Sequence, residues 1–354
     1  MNKTTYYVLG VMSGTSLDGV DLAYIKFTHH AGWEYQFLQC QTIPYNVFWK
    51  AELKTLIHTN KAAMDALNSA YTLYLAELIN TFINKNRITN IDFISSHGHT
   101  AWHQPDSGVT LQIGNKPDLA RITGHVVVCD FRVQDVALGG QGAPLVPIGD
   151  LLLFPDFDYC LNLGGFANLS TNYKGSRIAF DVCPVNIVLN HYVGRLGFDF
   201  DTDGQVAASG VVCETLLEEL NNLAYYKHAH PKSLGLEWVQ QVVLPLIDSF
   251  QLSTPDVLRT FVAHVAAQIA QVIKTGSVLV TGGGAYNSFL TACLKKQTAA
   301  KIVVPNTDVI EYKEALIFAF LGVLRVRNEV NCLASVTGAK HDHSSGIIYS
   351  HENY

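Results

Sequence analysis

The chain begins with three segments whose patterns are typical of strands: an apolar run, followed by segments in which apolar and polar residues alternate. These segments are Tyr6–Val11, Val20–Phe27 and Glu34–Gln41. The first two flank the turn SGTSLDG, whose glycines, hydroxyls and carboxylate suit the tip of a hairpin. The pattern therefore predicts three successive strands, with the first two joined at a polar turn.

Apolar residues at helical spacing follow in Phe48–His58 and Met64–Lys85, which predicts two helices. The short apolar runs IDFISSHG and HVVVCDF predict buried strands. Between them, PDLARITG predicts a helix with Pro117 near its start and Gly124 just past its end. The glycines and prolines of QDVALGGQGAPLVPIGD make this loop the best candidate linker.

The same pattern then starts again. Strands are predicted at Tyr159–Leu163, LNLGGFANLS, Arg177–Phe180, SVLVTGGG and AKIVVP, and helices at Val185–Leu196, Glu237–Phe250, Asp256–Lys274, from Asn287 onward and at Glu314–Arg327. Twice, strands around a glycine-bearing polar turn precede alternating helices and strands. The sequence thus predicts two α/β domains of similar plan with a cleft between them, a duplication inferred from pattern alone.

Composition supports a globular protein. The 354 residues suffice for two domains, and 48% of them are hydrophobic while 15% are charged. The net charge of −6 argues against a nucleic-acid partner, which usually needs a basic surface. The longest apolar run, Ala315–Val323, is far shorter than a bilayer span, and Met1–Thr5 does not resemble a secretory leader. We therefore expect a cytoplasmic protein with no membrane partner.

Cysteines and histidines do not point to a metal site. The seven cysteines are scattered, without a C-x-x-C pair, which suits reduced thiols. The histidines of SHGHTAWH and AKHDHSS have irregular spacing that is rarely metal-binding. His97 is expected instead to form hydrogen bonds in a pocket.

Three glycine-rich polar loops stand at predicted strand ends: SGTSLDG, NLGGFANLS and VTGGGAYN. The sequence has no P-loop, no G-x-G-x-x-G, no G-x-S-x-G and no H-E-x-x-H motif. Glycines let backbone N–H groups approach an anion, and hydroxyls add donors. A single loop of this kind is more often a plain hairpin turn. Three such loops, distributed over two domains, predict a nucleotide that is bound by both domains.

These loops resemble those of the actin, heat-shock chaperone and sugar-kinase superfamily, whose members have paired RNase H-like domains. Within it, the chain resembles the anhydro-N-acetylmuramic acid kinase family in the motifs GVMSGTSLDGVD, SHGHT.W, LQIGN, DFR..D.A.GGQGAPLVP, NLGGFANL, TGGGAYN and EALIFAFLG. The family opens 1,6-anhydro-N-acetylmuramic acid with water and ATP, which gives N-acetylmuramic acid 6-phosphate and ADP. The resemblance implies one lobe from residues 1–143 and 315–354, a second lobe from residues 144–314, an interdomain active-site cleft and a homodimer.

The resemblance also implies a set of nucleotide-binding residues. The first phosphate hairpin would be Gly14, Thr15, Ser16, Leu17, Asp18, Gly19, Val20 and Asp21. The second would contain Gly164 and Gly165, while Gly282, Gly283, Gly284 and Asn287 would line the adenosine. The expected cofactors are ATP and Mg²⁺, which Asp18 or Asp21 would reach through water because Mg²⁺ keeps much of its hydration shell.

Asp181 in RIAFDVCPVN is the predicted catalytic base. A carboxylate after a buried strand can serve as a base, but it can equally be a helix N-cap. The resemblance favours the base, since the family's aspartate precedes a turn with Pro and Asn, matched by Pro184 and Asn186. The family's turn is richer in glycine than this one, and Val182, Cys183 and Val185 add bulk beside the carboxylate.

The sugar substrate carries a lactyl carboxylate, an amide and hydroxyls. Arg132 could pair with the carboxylate, although it could equally form an ion pair within the protein. We expect hydrogen bonds to the hydroxyls or the amide from His97, Thr100, Gln112 and Gln141. Trp102 could stack on the sugar face. Rival interpretations are another sugar or acetate kinase and a chaperone-like ATP-binding module, although the chain has no additional peptide-binding domain.

Overall fold

A computed structural model of the chain describes residues 3–14, 17–56, 59–350 and 352. They divide into two compact units, one from residues 1–154 and 312–354 and one from residues 155–311. The sequence-based boundary lies earlier, at residue 143. Residues beyond it stay with the first unit because Lys313 forms an ion pair of 2.7 Å with Asp150, and Gly149 packs against Ile317.

The first unit contains seven strands and seven helices among its described residues. The strands are β1 (Thr5–Ser13), β2 (Gly19–His29), β3 (Trp33–Pro44), β4 (Phe93–Gln104), β5 (Val109–Ile113), β6 (Val127–Cys129) and, near the C-terminus, β12 (Ile347–Tyr349). The helices are α1 (Val47–Lys54), α2 (Lys61–Lys85), α3 (Asp118–Thr123), α4 (Val133–Ala137), α5 (Val146–Leu153), α13 (Thr307–Val326, whose first residues belong to the second unit) and α14 (Ala334–Thr337).

The second unit contains five strands and seven helices among its described residues. The strands are β7 (Tyr159–Leu163), β8 (Phe166–Tyr173), β9 (Ser176–Pro184), β10 (Ser277–Thr281) and β11 (Lys301–Val303). The helices are α6 (Asn186–Val193), α7 (Gln205–Ser209), α8 (Glu214–Asn221), α9 (Leu236–Trp238), α10 (Leu244–Ser249), α11 (Thr254–Val272) and α12 (Ser288–Gln297).

The two sheets share one topology. The first has the order β12-β6-β4-β1-β2-β3, with β5 paired to β4, and the second has the order β11-β10-β7-β8-β9. In each, three antiparallel strands are followed by two parallel ones: β1 pairs with β4 and β4 with β6, as β7 pairs with β10 and β10 with β11. The expected α/β fold with two RNase H-like domains is confirmed by this repeated order.

Helix α13 lies in the buried interior of the first unit. Its residues from Ala315 to Leu321 are all buried, as expected for a helix that is apolar all round. Ser95 of β4 donates its hydroxyl proton to the carbonyl of Phe318 at 2.6 Å, which attaches the helix to the sheet. Across the described residues, no helix has the length and hydropathy needed to cross a bilayer.

Two parts of the first unit differ from the sequence-based prediction. Strand β4 continues beyond the short strand predicted in IDFISSHG to Gln104, because β5 pairs with it as an antiparallel partner. The expected linker contains α4 and α5, and Val136, Ile148 and Leu153 of these helices are buried. Glycine and proline content alone did not distinguish this packed segment from a linker.

Candidate functional site

The first predicted phosphate hairpin lies between β1 and β2. The strands are paired as far as Ser13 and Val20, so the tip begins at Gly14. Leu17 has a left-handed φ of 60°, and Asp18 is exposed. Thr15 and Ser16 lie outside the described residues. The described part of the tip therefore presents an exposed carboxylate.

Three further residues predicted for this hairpin belong to β2. Val20 is fully buried in the apolar core, so only its backbone could approach a nucleotide. Gly19 is required by strand packing, because a Cβ there would lie 2.4 Å from the carbonyl oxygen of Ile43. The carboxylate of Asp21 accepts a hydrogen bond of 2.6 Å from the hydroxyl of Thr42 in β3.

The end of β1 is held by a buried polar network that sequence reasoning missed. Ser13 Oγ lies 2.5 Å from Tyr45 Oη, 2.7 Å from Tyr71 Oη and 2.9 Å from His99 Nδ1. Burial lowers the pKa of His99 to about 4, so its imidazole is neutral at physiological pH. Each hydroxyl thus has partners, and the network orients the residue that precedes the hairpin tip.

A pocket of about 270 Å³ opens beside this network, within the first unit. Its lining combines side chains from β1, β4, the α4 region and α13: Met12, Ser13, Gly14, His97, Thr100, His103, Arg132, Ala143 and Glu314. Four of the predicted site residues, Gly14, His97, Thr100 and Arg132, therefore line one cavity. Their convergence follows from β1, β4 and β6 being parallel neighbours whose carboxyl ends meet at the same edge of the sheet.

Arg132 and His97 form a fixed pair in this pocket. Arg132 Nε donates to His97 Nε2 at 3.0 Å, and Arg132 Nη1 donates to the carbonyl of Gly142 at 2.6 Å. His97 Nδ1 lies 2.8 Å from the carbonyl oxygen of Gly98, so Nδ1 carries the ring proton and Nε2 accepts. Burial, followed by the positive charge of Arg132, lowers the pKa of His97 well below its usual value.

Glu314 is a pocket residue that the sequence analysis did not single out, although EALIFAFLG was among the quoted motifs. The residue is exposed and lines the pocket. Desolvation in the pocket raises the pKa of Glu314, and the nearby charges of Arg132 and Lys313 partly oppose the rise. In turn, desolvation lowers the pKa of Arg132 to about 10, while Glu314 opposes that shift. The pocket thus contains one cation and one carboxylate.

The remaining residues predicted to bind sugar lie beside the pocket lining. Gln112 is buried and donates to Thr110 at 3.0 Å, while its Oε1 has no hydrogen-bond partner among the described residues. Gln141 donates to Asp106 at 3.4 Å, on the exposed side of its loop. Trp102 packs against the apolar cluster of the first unit. The roles of Gln112 and Gln141 stay predictions.

In the second unit, the turn between β7 and β8 consists of Gly164 and Gly165. Their carbonyl oxygens accept hydrogen bonds from the first amides of α6: Asn186 N donates to Gly164 at 3.2 Å and Val185 N to Gly165 at 2.8 Å. The side chain of Asn186 also donates to the carbonyl of Leu163 at 3.1 Å. The turn is therefore fixed by backbone contacts, and Gly165 remains exposed.

The loop after β10 packs directly on the end of β7. A Cβ on Gly282 would lie 2.5 Å from Asn162 Oδ1, and one on Gly284 would lie 2.7 Å from Leu163 Cβ. Gly282 also has a left-handed φ of 80°. Gly283 is different, because a Cβ there would meet only Asn186 Nδ2, at 3.9 Å. Two of the three glycines thus permit close packing, and the third leaves an open surface.

Asn287 has a local structural role that competes with its predicted contact to adenosine. Its Oδ1 accepts a hydrogen bond of 2.9 Å from Leu290 N, which caps helix α12. The residue is only 8% exposed. Asparagine is a preferred N-cap, and this alternative was not weighed in the sequence analysis.

Asp181 lies within β9 and does not cap a helix. Helix α6 begins after Val185, which makes no side-chain capping bond, so the N-cap alternative does not apply. Its carboxylate accepts hydrogen bonds from the Asn168 side chain in β8 and, at 2.7 Å, from Leu234 N. Burial raises the pKa of Asp181, and these two hydrogen bonds oppose that rise. A half-buried carboxylate with a raised pKa suits a general base.

The segment around Leu234 also escaped the sequence analysis. Asp181 N donates to the carbonyl of Lys232 at 3.1 Å, and the hydroxyl of Tyr225 donates to the carbonyl of Asp181 at 2.6 Å. The ammonium of Lys232 lies 4.6 Å from the centre of the Tyr225 ring. The loop thus holds both the backbone and the carboxylate of Asp181, although no motif marks it in the sequence.

The bulky residues after Asp181 point into the core. The pairing of β8 and β9 shifts between Ala167 and Asn168, which leaves Val182 as an extra residue in β9. Val182 and Cys183 are 2% and 0% exposed, and Val185 is fully buried. Burial raises the pKa of the Cys183 thiol, which agrees with its interpretation as a packing residue.

Comparisons with known proteins cover nearly the whole chain. The family model for anhydro-N-acetylmuramic acid kinase matches residues 6–351. A Haemophilus influenzae protein of that name is 33% identical over 382 residues, which cover 99% of this chain and 99% of the relative. A Mannheimia succiniciproducens protein of the same name is 34% identical over 373 residues, covering 97% of this chain and 98% of the relative.

Solved structures resemble the chain more distantly. The activator of the 2-hydroxyisocaproyl-CoA dehydratase from Clostridium difficile with bound ADPNP is 12% identical, with a TM-score of 0.44 over 91% of this chain and 97% of that chain. A ROK family glucokinase from Streptomyces griseus in complex with glucose and AMPPNP is 10% identical, with a TM-score of 0.40 over 89% of this chain and 98% of that chain.

Proposed function

The chain belongs to the anhydro-N-acetylmuramic acid kinase family, and from this premise we propose how its residues carry out the family's reaction. The protein is an ATP-dependent phosphotransferase with an alcohol group as acceptor. It opens 1,6-anhydro-N-acetylmuramic acid by hydrolysis and phosphorylates O6, a reaction of peptidoglycan recycling and amino-sugar catabolism. Another sugar kinase or a chaperone-like module is not favoured, because full-length relatives carry the specific kinase name.

The substrate determines which catalytic groups are needed. In a 1,6-anhydro sugar, O6 belongs to the intramolecular acetal and has no proton to lose. A base must therefore remove a proton from water as the water oxygen bonds to the anomeric carbon. The bond from that carbon to O6 breaks, O6 takes the γ-phosphoryl group of ATP, and ADP leaves.

Asp181 is the proposed base, and its environment is the observation that carries the proposal. The carboxylate is half-buried at the end of β9 and receives two hydrogen bonds, from Asn168 and Leu234 N. Burial raises its pKa toward the range in which a base is effective near neutral pH. Cys183, two residues later, is buried in the apolar core and takes no part in the reaction.

Arg132 is the proposed partner of the lactyl carboxylate of the sugar. Its Nε and Nη1 hold His97 and Gly142, so Nη2 can donate to an acidic ligand while the guanidinium stays in place. Glu314 in the same pocket partly offsets the positive charge of Arg132. We therefore propose that Arg132 recognises the acid and that Glu314 accepts hydrogen bonds from sugar hydroxyls.

The glycine loops fit a nucleotide. Gly165 and Gly283 are exposed, and a Cβ added to either would make one ordinary van der Waals contact, so a phosphate or a flat ring could approach the backbone there. We propose that the first hairpin, with Gly14, contributes further backbone contacts to the phosphates. Asp18 is the residue best suited to hold Mg²⁺ through water, because its carboxylate is exposed while that of Asp21 is bonded to Thr42. When bound, Mg²⁺ would neutralise charge on the phosphates.

An isotope experiment tests the proposed reaction. The protein is incubated with Mg-ATP and 1,6-anhydro-N-acetylmuramic acid in ¹⁸O-water, and the products are analysed by mass spectrometry. The label is expected on the anomeric oxygen of the sugar phosphate and not in its phosphate group. Labelled free phosphate without sugar phosphate would identify a plain ATPase and contradict the proposal.

Two properties implied by the family are also proposals. We propose that the protein is a homodimer. Analytical ultracentrifugation would distinguish a dimer from a monomer.

We also propose that the enzyme acts in the cytoplasm, where ATP is available. Fractionation of cells that express the natural protein would test this location.

A further inference from the structure

Three potential metal ligands meet in the first unit, apart from the pocket lining. Asp135 lies in α4, while Cys332 and His343 lie on two C-terminal segments that pair through their backbones at 3.1 and 3.2 Å. Each contributes one donor atom, and the three atoms all lie within 4.8 Å of one another. The residues are 0%, 1% and 6% exposed.

The hydrogen bonds of His343 leave one ring nitrogen without a partner. Its Nδ1 lies 3.1 Å from the carbonyl oxygen of His341, and a carbonyl only accepts, so Nδ1 carries the proton. Nε2 is buried and has no hydrogen-bond partner among the described residues. It lies 3.6 Å from Asp135 Oδ1, too far for a hydrogen bond. A buried lone pair beside a carboxylate is unfavourable, and a metal cation between the two would relieve this.

The spacing of the three donors suits a small divalent cation. Cys332 Sγ lies 3.0 Å from Asp135 Oδ1, and His343 Nε2 lies 3.6 Å from the same oxygen. Tetrahedral zinc, with bonds of about 2.0 Å to O and N and about 2.3 Å to S, places such donors about 3.3–3.5 Å apart. Donors that include a thiolate and an imidazole favour Zn²⁺ over Mg²⁺, which prefers oxygen.

We propose that Asp135, Cys332 and His343 form a buried site for a Zn²⁺ ion, with a water molecule at the fourth position. On binding, the Cys332 thiol loses its proton to solvent, and the resulting thiolate binds the metal. The site differs from the metal role expected for the nucleotide, and it does not rest on the proposed catalytic function. It also departs from the sequence-based expectation, because only His343 of AKHDHSS takes part, together with two residues distant in sequence.

Neighbouring groups already orient the ligands. Thr337 Oγ1 donates to Asp135 Oδ1 at 2.7 Å, and Gly142 N donates to Asp135 Oδ2 at 2.7 Å. The carbonyl of His341 fixes the imidazole, as is usual for metal-bound histidines. Since Gly142 also accepts the hydrogen bond from Arg132, the ion would stabilise the loop that positions this pocket residue. We therefore assign the metal a structural role that links α4 to the C-terminal segments.

Metal analysis of the full chain tests this proposal. The protein is stripped with a chelator, incubated with Zn²⁺, desalted and analysed by inductively coupled plasma mass spectrometry. We expect one zinc ion per chain. X-ray absorption spectroscopy at the zinc edge should show one sulfur ligand at about 2.3 Å from the metal. Added zinc should also raise the melting temperature of the stripped protein. A folded wild-type chain without bound zinc, or with zinc that has no sulfur ligand, would overturn the proposal.

Variants localise the ion. Cys332→Ser and His343→Gln should lose the bound zinc and the zinc-dependent rise in melting temperature. Two matched controls should retain both: Cys129→Ser changes another buried thiol, and His341→Gln changes the neighbouring exposed imidazole but keeps its carbonyl. Unchanged zinc content in Cys332→Ser would refute the site. If that variant does not fold, the presence or absence of a sulfur ligand in the X-ray absorption spectrum of the wild-type protein decides between the outcomes.

Discussion

The two units share one strand order, yet the same pair of neighbouring strands carries a different polar contact in each. In the first unit, Asp21 of β2 accepts a hydrogen bond from Thr42 of β3. In the second, Asn168 of β8 donates to Asp181 of β9, so the carboxylate lies on the other strand. Topology therefore provides the position, and the residues on it determine whether the carboxylate can act as a base.

The surroundings of the two carboxylates differ in a further respect. Asp181 also receives a hydrogen bond from Leu234 N, supplied by a loop that covers the end of β9. The side-chain contacts of the two carboxylates, with Thr42 and with Asn168, are both exposed, so the difference lies in the bond from Leu234 N. Burial raises the pKa of Asp181, and this desolvation is what makes an aspartate useful as a base near neutral pH.

The hairpins that precede these strands are also stabilised in different ways. Hydrogen bonds of the Ser13 side chain stabilise the first hairpin. The second is stabilised by backbone hydrogen bonds to Gly164 and Gly165 and by the close packing of Gly282 and Gly284 against the end of β7. A substitution at Gly282 or Gly284 should therefore affect folding first. A substitution at the first hairpin tip should affect ligand binding first.

The largest expected effect comes from Asp181→Asn. The amide keeps the shape of the side chain but cannot accept a proton from water, so kcat should fall roughly 10²–10⁴-fold while ATP affinity changes little. Steady-state kinetics and calorimetric titration with ADP measure the two quantities. A fully active variant would remove Asp181 from the mechanism.

Gly284→Ala should destabilise the protein by about 1–3 kcal/mol, because its Cβ would overlap Leu163. Gly283→Ala is the matched control for folding, since its Cβ meets only Asn186 Nδ2 at 3.9 Å, and its free energy of unfolding should change by less than about 0.5 kcal/mol. Gly283→Ala should nevertheless weaken ADP binding if adenosine lies on this loop. Urea unfolding and calorimetry compare the variants, and equal stability of the two would contradict the packing argument.

Gly14→Val should weaken Mg-ATP binding by about tenfold, or about 1.4 kcal/mol, with little effect on the melting temperature. The new side chain would occupy space that the phosphates need if they approach the backbone of Gly14, as proposed. Gly32→Val provides a control, because a Cβ on Gly32 meets no atom within 4 Å. Normal ATP binding by Gly14→Val would mean that the first hairpin is only a turn.

Asn168→Leu should shift the pH profile of kcat. The Asn168 amide stabilises the ionised form of Asp181, so its removal raises the pKa of that carboxyl further. Because the base must be ionised to act, the acidic limb of the profile should move to higher pH, by about one unit. Asn172→Leu, on the same strand but opposite Arg177, should leave the limb unchanged. A shift to lower pH would exclude Asp181 as the titrating group.

The smallest effect is expected from Thr42→Val. It removes the exposed hydrogen bond to Asp21 and should lower the free energy of unfolding by no more than about 1 kcal/mol, with kcat nearly unchanged. Thermal unfolding and kinetics provide the measurement. A loss of kcat comparable to that of Asp181→Asn would show that the two strand pairs are functionally equivalent after all.

The sequence by itself determined the α/β class, the repeated plan and both glycine hairpins. These features depend on local signals: alternation predicts strands, and glycine with polar residues predicts turns. It also determined Asp181, His97 and Arg132 as candidates, because the resemblance to the family rests on the motifs that contain them. All of this can be read within short windows of the chain.

Only the tertiary structure decided which side chains meet. In the folded chain, Val20 lies in the core, Asn287 caps a helix and Glu314 lines the pocket. It also brought Leu234 onto Asp181, and Cys332 onto Asp135, which is 197 residues away in sequence. Such contacts depend on how strands and helices pack over long sequence distances, and no local pattern of hydrophobic and polar residues records that packing.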